Sequence, residues 1–131
     1  MRLEVEDIKI ANGRGFYYLA TPYSKWKAGL DDAAKQAALL AGALIKRGIG
    51  VYSPIAHSHI VAITSDIDPW SHEIWLPADK PLADAAFGLI VAGLDGWRES
   101  YGIGKEIEWF GLARKPRYLL DPSSLTLQVL P

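Results

Sequence analysis

The segment 95–106, DGWRESYGIGKE, holds the residues best suited to chemistry in this chain. Glycines 102 and 104 at the start of a helix let backbone amides approach an anion, and the helix dipole adds attraction. Ser100 can add a hydroxyl donor, although a plain strand-to-helix turn explains the same residues equally well. The segment lacks GxxxxGK[ST], and Ile107 stands where GxGxxG requires its third glycine. These departures argue against a P-loop enzyme and a dinucleotide-binding domain.

The two glutamates that follow differ in helical phase. Ile103, Ile107 and Phe110 share one stripe of the predicted helix. At about 100° per residue, Glu106 lies roughly 60° from the centre of that stripe and Glu108 roughly 140° away. Glu108 is therefore expected to be a surface charge, whereas Glu106 is expected at the margin of the buried face. A carboxylate there must be paired, hydrogen-bonded or used in chemistry.

The surrounding sequence predicts alternating strands and helices. We expect strands at 16–20, 49–52, 87–94 and 117–120, and an edge strand at 125–130. A helix should begin after an N-cap at Asp31 and end at 46–48, and another should span 102–114. The stretch 57–81, with three prolines, reads as a long excursion with one helix near 71–76. This order predicts an α/β, doubly wound, flavodoxin- or Rossmann-like domain with a mainly parallel sheet and helices on both faces.

In such sheets the ligand crevice lies beyond the carboxyl ends of the strands. The loops that follow the predicted strands, at 21–23, 53–59 and 95–104, should therefore surround one site. We divide the chain into an N-terminal extension at 1–15, ending in a turn-like cluster at 12–15, and a single domain at 16–131.

Composition excludes several classes of protein. With 131 residues, 50% of them hydrophobic, the chain can bury a core, and a net charge of -1 argues against a partner that is a nucleic-acid polymer. The absence of cysteine excludes disulfides, thiolate zinc sites and a cysteine nucleophile. No apolar run is long enough to cross a membrane, and the first ten residues carry three acids, so we expect a cytoplasmic protein.

Three short motifs in order resemble those of the nucleoside 2-deoxyribosyltransferase-like superfamily. Residues 18–23, YLATPY, are similar to its YLAxPY/F strand end, and SxGxGxE at 100–106 is similar to its signature around the catalytic glutamate. The fuller pattern, with GxxVYSPIxHxH at 48–59, Asp79 and DGWxxSxGxxxE at 95–106, is most similar to an uncharacterised bacterial and viral branch. The chain departs from the superfamily in having Glu108 and Phe110 where glycine and alanine are common.

The resemblance implies an enzyme that cleaves or transfers at the N-glycosidic bond of a (deoxy)nucleoside or its 5′-monophosphate. Glu106 would be the nucleophile that forms a glycosyl-enzyme ester, and Tyr18 would hydrogen-bond it. Asp79 would protonate the leaving base, with Asp95 as the second candidate. Residues expected to bind substrate are Thr21, Pro22, Tyr23, Ser53, His57, Trp97, Ser100, Gly102 and Gly104, with Ser100 and the amides of the two glycines contacting a 5′-phosphate.

Two alternatives to an enzyme remain open, a non-catalytic nucleotide-binding module and an accessory protein with a vestigial pocket. The HxH at 57–59 could bind zinc only with a third ligand such as Asp66, Asp68 or His72, so we expect no metal and no cofactor. His59 is expected to be structural. Because members of the superfamily often complete the pocket from a neighbouring subunit, the resemblance also implies a homo-oligomer.

Overall fold

A six-stranded sheet forms the centre of the molecule in a computed structural model, which describes residues 1–10 and 14–131. Within these residues the strands are β1 (Leu3–Glu4), β2 (Tyr17–Ala20), β3 (Val51–Tyr52), β4 (Gly88–Ala92), β5 (Arg117–Asp121) and β6 (Thr126–Val129). The helices are α1 (Leu30–Lys46), α2 (Pro54–Thr64), α3 (His72–Ala85) and α4 (Tyr101–Leu112). Short 3-10 turns cover Val5–Ile8 and Trp97–Glu99.

The order of the strands is β1-β6-β5-β4-β2-β3. Strands β3, β2, β4 and β5 run parallel to one another. At one side of the sheet, β6 pairs antiparallel with β5, and β1 pairs antiparallel with β6. Every residue of β2 and β4 is buried, as expected of strands covered on both faces. The predicted α/β class and mainly parallel sheet are confirmed.

Helices cover both faces of this sheet. Leu40 and Leu44 of α1 pack in a core with β2 and β4 residues on one face. On the other face, Ile103 and Phe110 of α4 join Ala83 of α3 in a second core, which holds the opposite side chains of β2 and β4. The helix after β2 therefore lies on one face, and the helix after β4 lies on the other.

Two predictions about individual elements were wrong. Helix α1 begins at Leu30 with Gly29 as its N-cap, so Asp31 lies in the first turn instead of capping it. Gly29 has φ +94°, a conformation that glycine adopts without strain. Strand β6 is not an edge strand, because β1 pairs with its outer side through Leu3 and Glu4.

The long excursion predicted at 57–81 was also wrong, since most of it is helical. Ser53 caps α2 by accepting a hydrogen bond at Oγ from the Ala56 N–H, at 3.2 Å, and Pro54 occupies the first helical turn. Helix α3 runs far beyond the predicted 71–76 and contains Pro77 and Pro81. Both prolines lie on its exposed side, and interior prolines usually end a helix, which is why the sequence indicated a loop.

The N-terminal segment takes part in the sheet and the core. Besides forming β1, it contributes two residues to the core that contains side chains of α1 and β2. Val5 is completely buried there, and Ile8 is nearly so. Part of the turn expected at 12–15, Asn12 and Gly13, lies outside the described residues. Over residues 1–10 and 14–131, none of the helices combines the length and apolarity needed to cross a membrane.

Candidate active site

A cavity of about 210 Å³ lies beyond the carboxyl ends of β2 and β4. These neighbouring strands are followed by helices on opposite faces, so the chain diverges between them and leaves a crevice. The loop after β2 supplies Thr21, Pro22 and Tyr23 to the wall, and the loop after β4 supplies Asp95 and its neighbours. Helices α2, α3 and α4 close the remaining sides.

Glu106 is held by the buried face of α4. The helix is started by Ser100, whose Oγ accepts a hydrogen bond from the Ile103 N–H at 3.2 Å. Ile103, Glu106 and Phe110 form the buried face, and Glu106 is only 8% exposed. Around the helix, Phe110 lies between Ile103 and Glu106, so Glu106 is on one side of this face and yet more deeply buried than a marginal position predicts. The stripe inferred from sequence gave too much weight to Ile107, which is only partly buried.

Burial dominates the ionisation of Glu106. It raises the pKa of the carboxyl from 4.5 to about 8, because the charged form loses its hydration inside the protein. The Tyr18 phenol opposes this rise, and the negative charge of Asp79 adds to it. A carboxyl in this state is protonated more readily than an ordinary glutamate.

Asp79 is a second, partly buried carboxyl of the cavity. It projects from α3, where the residues at 72, 75, 76 and 79 share one helical face and line the cavity together. Burial raises its pKa from 3.8 to about 6. Between about pH 6 and about pH 8, the Asp79–Glu106 pair therefore holds one proton.

Tyr18 lies beside Glu106, outside the lining of the cavity. Its ring is fully buried and packs against Phe110 and Tyr52, with ring centroids 5.6 Å and 6.4 Å away. Burial and the charge of Glu106 raise the pKa of the phenol far above its ordinary value. The hydroxyl is near enough to affect Glu106 but falls outside the geometry of a well-formed hydrogen bond.

Thr21 presents a buried hydroxyl to the cavity. The residue is 5% exposed and lines the cavity, and its Oγ1, like the Tyr18 hydroxyl, has no hydrogen-bond partner among the described residues. Buried polar groups are nearly always hydrogen-bonded in folded proteins. A ligand hydroxyl in the cavity is one way to supply that partner.

Tyr23 is fixed by a chain of hydrogen bonds that reaches the surface. Its hydroxyl lies 2.6 Å from His59 Nδ1, and His59 Nε2 lies 2.7 Å from the Asp31 carboxylate. Since a carboxylate only accepts, Nε2 donates to it, and a neutral His59 then accepts the Tyr23 proton at Nδ1. The Tyr23 oxygen is left as an acceptor. His59 thus has the structural role expected of it.

Most of the predicted site residues line the cavity, and five do not, one of which is the fully buried Tyr18 described above. Those that line it are Thr21, Pro22, Tyr23, Asp79, Asp95, Ser100, Gly102 and Glu106. Ser53 is buried as the cap of α2, and His57 is exposed beside Tyr52. Trp97 lines a second cavity near β5. Gly104 donates its amide hydrogen to the Ser100 carbonyl oxygen, at 3.0 Å, and does not line the cavity.

Sequence reasoning missed most of the wall formed by α2 and α3. His72, Trp75 and Leu76 of α3 line the cavity beside Asp79, and Ser58 and Ala62 of α2 lie opposite. Helical spacing in each group was a usable signal, but the prolines of α3 obscured it. Within residues 1–10 and 14–131, no three acidic or histidine side chains converge as a metal site would require.

Comparison with known proteins assigns a family without assigning an activity. A search of curated proteins finds no match to the chain. A family model matches residues 15–121, which include the parallel strands, the helices between them and all the cavity residues named above. The chain therefore belongs to the family described as Domain of unknown function (DUF1937).

Proposed function

We propose that this protein is an enzyme acting on the N-glycosidic bond of a (deoxy)nucleoside or its 5′-monophosphate, within the nucleoside 2-deoxyribosyltransferase-like superfamily. The observation that carries the proposal is a pair of carboxyls, the buried Glu106 and the partly buried Asp79, in one cavity at the switch point of the sheet. Two carboxyls that differ in ionisation are the usual equipment for cleaving a glycosidic bond.

In the proposed reaction, the Glu106 carboxylate attacks the anomeric carbon of the sugar. A carbon–oxygen ester bond forms, the bond from sugar to base breaks, and the bonding electrons leave with the base. The leaving base takes a proton from Asp79. A second base or a water molecule then attacks the anomeric carbon, the ester bond breaks with its electrons returning to Glu106, and the attacking group gives its proton to Asp79, giving transfer or hydrolysis respectively.

This division of roles requires the single proton of the pair to lie on Asp79. With Glu106 ionised and the proton on Asp79, one group is a nucleophile and the other an acid. The raised pKa of Asp79, about 6, makes it a better proton donor near neutral pH than an ordinary aspartate. In the free enzyme Glu106 has the higher pKa and holds the proton. Substrate binding must therefore shift this proton so that Glu106 becomes ionised.

The unpartnered hydroxyl of Thr21 supports a sugar as the ligand. Thr21 is buried and lines the cavity, so its hydroxyl can donate to or accept from a sugar hydroxyl, whereas Tyr18 lies outside the cavity lining. Phe110, which replaces the small residue common in the superfamily, packs on the Tyr18 ring and holds it in place. The departure from the pattern is therefore compatible with the proposed site.

Base release is the direct test of this function. The protein is incubated with the common 2′-deoxynucleosides and their 5′-monophosphates, with and without free adenine as acceptor, and products are separated by chromatography. We expect base release or exchange that is lost in Glu106→Gln and kept in Glu108→Gln. Glu108 is a matched control because it is an exposed glutamate on the same helix.

Other outcomes point to the alternative functions. Ligand-induced thermal stabilisation without turnover would indicate a nucleotide-binding module, and no stabilisation by any nucleoside, nucleotide or base would indicate a vestigial pocket. Turnover that survives Glu106→Gln would contradict the nucleophile assignment.

We also propose that the protein forms a homo-oligomer. Exposed apolar side chains on the packed pair α1 and α2, Leu39, Ile45, Ile60 and Ile63, support this proposal. Sedimentation velocity should give a mass above that of one chain, and a monomer at high protein concentration would contradict it.

A further inference from the structure

The charges around the cavity carry a further inference, which rests on the proposed function and narrows its substrate. Among the described residues that line the cavity, the acids are Asp79, Asp95, Glu99 and Glu106, and Lys25 is the one lysine or arginine. Even with one proton shared by Asp79 and Glu106, the ionised carboxylates outnumber the lysine.

One of the groups expected to receive a phosphate, the Gly104 amide, is already engaged, since it donates to the Ser100 carbonyl oxygen. The Ser100 hydroxyl accepts a hydrogen bond from the Ile103 amide and retains its own O–H as a donor. Asp95 and Glu99, both exposed residues that line the cavity, precede Ser100 in the same segment. The segment that leads into α4 therefore brings two carboxylates to the cavity.

Nearby cations do not compensate for this charge. The Arg98 guanidinium lies over the Trp97 ring, 4.8 Å from its centroid, and the Lys105 ammonium lies 5.8 Å from the centroid of the Tyr101 ring and 3.9 Å from the Glu108 carboxylate. Neither residue lines the cavity. Over the lining of the cavity as a whole, a ligand phosphate would face more carboxylates than lysine or arginine side chains, and like charges at short range repel.

Uncharged polar groups of a ligand, in contrast, would be attracted by the same carboxylates. Carboxylates are acceptors, so Asp95 and Glu99 can each accept a hydrogen bond from a ligand hydroxyl or N–H. The buried, unpartnered Thr21 hydroxyl offers another contact of the same kind. From this arrangement we infer that the site binds nucleosides with a free 5′-hydroxyl and discriminates against nucleoside 5′-monophosphates.

Matched pairs of ligands test this inference. Binding of 2′-deoxyadenosine, 2′-deoxyguanosine, 2′-deoxycytidine and thymidine is compared with that of the corresponding 5′-monophosphates by isothermal titration calorimetry at low salt. For at least one pair, we expect the nucleoside to have the lower Kd, by about tenfold or more, and the ratio to shrink as salt screens the exposed carboxylates.

Charge-removing variants identify the cause of the discrimination. The double variant Asp95→Asn, Glu99→Gln should bind the 5′-monophosphate more tightly and reduce the ratio by about threefold or more, an effect expected of lost charge repulsion. Glu108→Gln, which removes a carboxylate outside the cavity on the same helix, should leave the ratio unchanged. Both positions substituted in the double variant are exposed, so the fold should tolerate them.

The outcomes separate this inference from the proposed function. Tighter nucleoside binding without base release would support the inference and contradict the enzyme proposal. Equal or tighter binding of the 5′-monophosphate, or a ratio that the double variant leaves unchanged, would overturn the inference while leaving glycosidic chemistry possible. If neither member of any pair binds, both proposals are wrong.

Discussion

Replacing Glu106 with glutamine should stabilise the protein, and increasingly so as pH rises. The folded-state pKa of Glu106, about 8, is raised above the ordinary value of 4.5. At 1.36 kcal/mol per pKa unit, this difference corresponds to as much as about 5 kcal/mol between the protonated and ionised forms. Because domains of this size are stable by only about 5–15 kcal/mol, the effect is large.

The sign of this effect follows from proton linkage. Below the unfolded-state pKa, Glu106 is protonated in both states and costs nothing by ionising. Between that pKa and the folded-state pKa of about 8, the unfolded chain ionises while the folded protein keeps its proton, so the free energy of unfolding falls as pH rises and levels off above about pH 8. Glutamine keeps the shape of the side chain and removes this loss.

Urea denaturation followed by tryptophan fluorescence measures the prediction. From about pH 5 to about pH 9, the difference in free energy of unfolding between Glu106→Gln and wild type should grow by several kcal/mol in favour of the variant. Glu108→Gln, an exposed glutamate on the same helix, should show no comparable growth. A difference for Glu106→Gln that stays flat across this range would refute the argument that burial holds the carboxyl protonated.

Three further substitutions test individual contacts. Asp79→Asn removes a charge that raises the Glu106 pKa. In urea titrations of this variant, the fall in the free energy of unfolding that Glu106 causes should therefore end at a lower pH than in wild type. Tyr18→Phe removes a buried hydroxyl without a partner, so the free energy of unfolding should be unchanged or rise by up to about 2 kcal/mol, while base release falls. Gly88→Ala should lower the free energy of unfolding by about 1–3 kcal/mol, because the Cβ of the alanine would lie 2.9 Å from the Pro116 carbonyl oxygen.

The parts of the fold that could be predicted are those where local pattern and burial agree. The apolar run at 87–94 and the spacing of Ala33, Ala37, Leu40 and Leu44 are sufficient to predict β4 and the buried face of α1. The strand-to-helix alternation then implies the parallel sheet and places the crevice at its carboxyl edge.

The remaining features depend on tertiary packing that no local pattern reports. Pro77 and Pro81 lie on the exposed side of α3, so the helix continues past residues that usually end one. The burial of Glu106 on the same face as Ile103 and Phe110 follows from tertiary packing, whereas hydropathy alone places it at a margin. Contacts far apart in sequence, such as that between Tyr23 and His59, have no local signature.

The central claim, that Glu106 forms a covalent bond to the sugar, is tested most directly by trapping that bond. The protein is mixed with a 2′-deoxynucleoside without acceptor base, quenched in acid at early times, digested and analysed by mass spectrometry. We predict that the peptide containing Glu106 gains the mass of one deoxyribosyl group, and that the same peptide from Glu106→Gln does not. Base release with no adduct on that peptide at any time, or with an adduct on a different residue, would contradict the account.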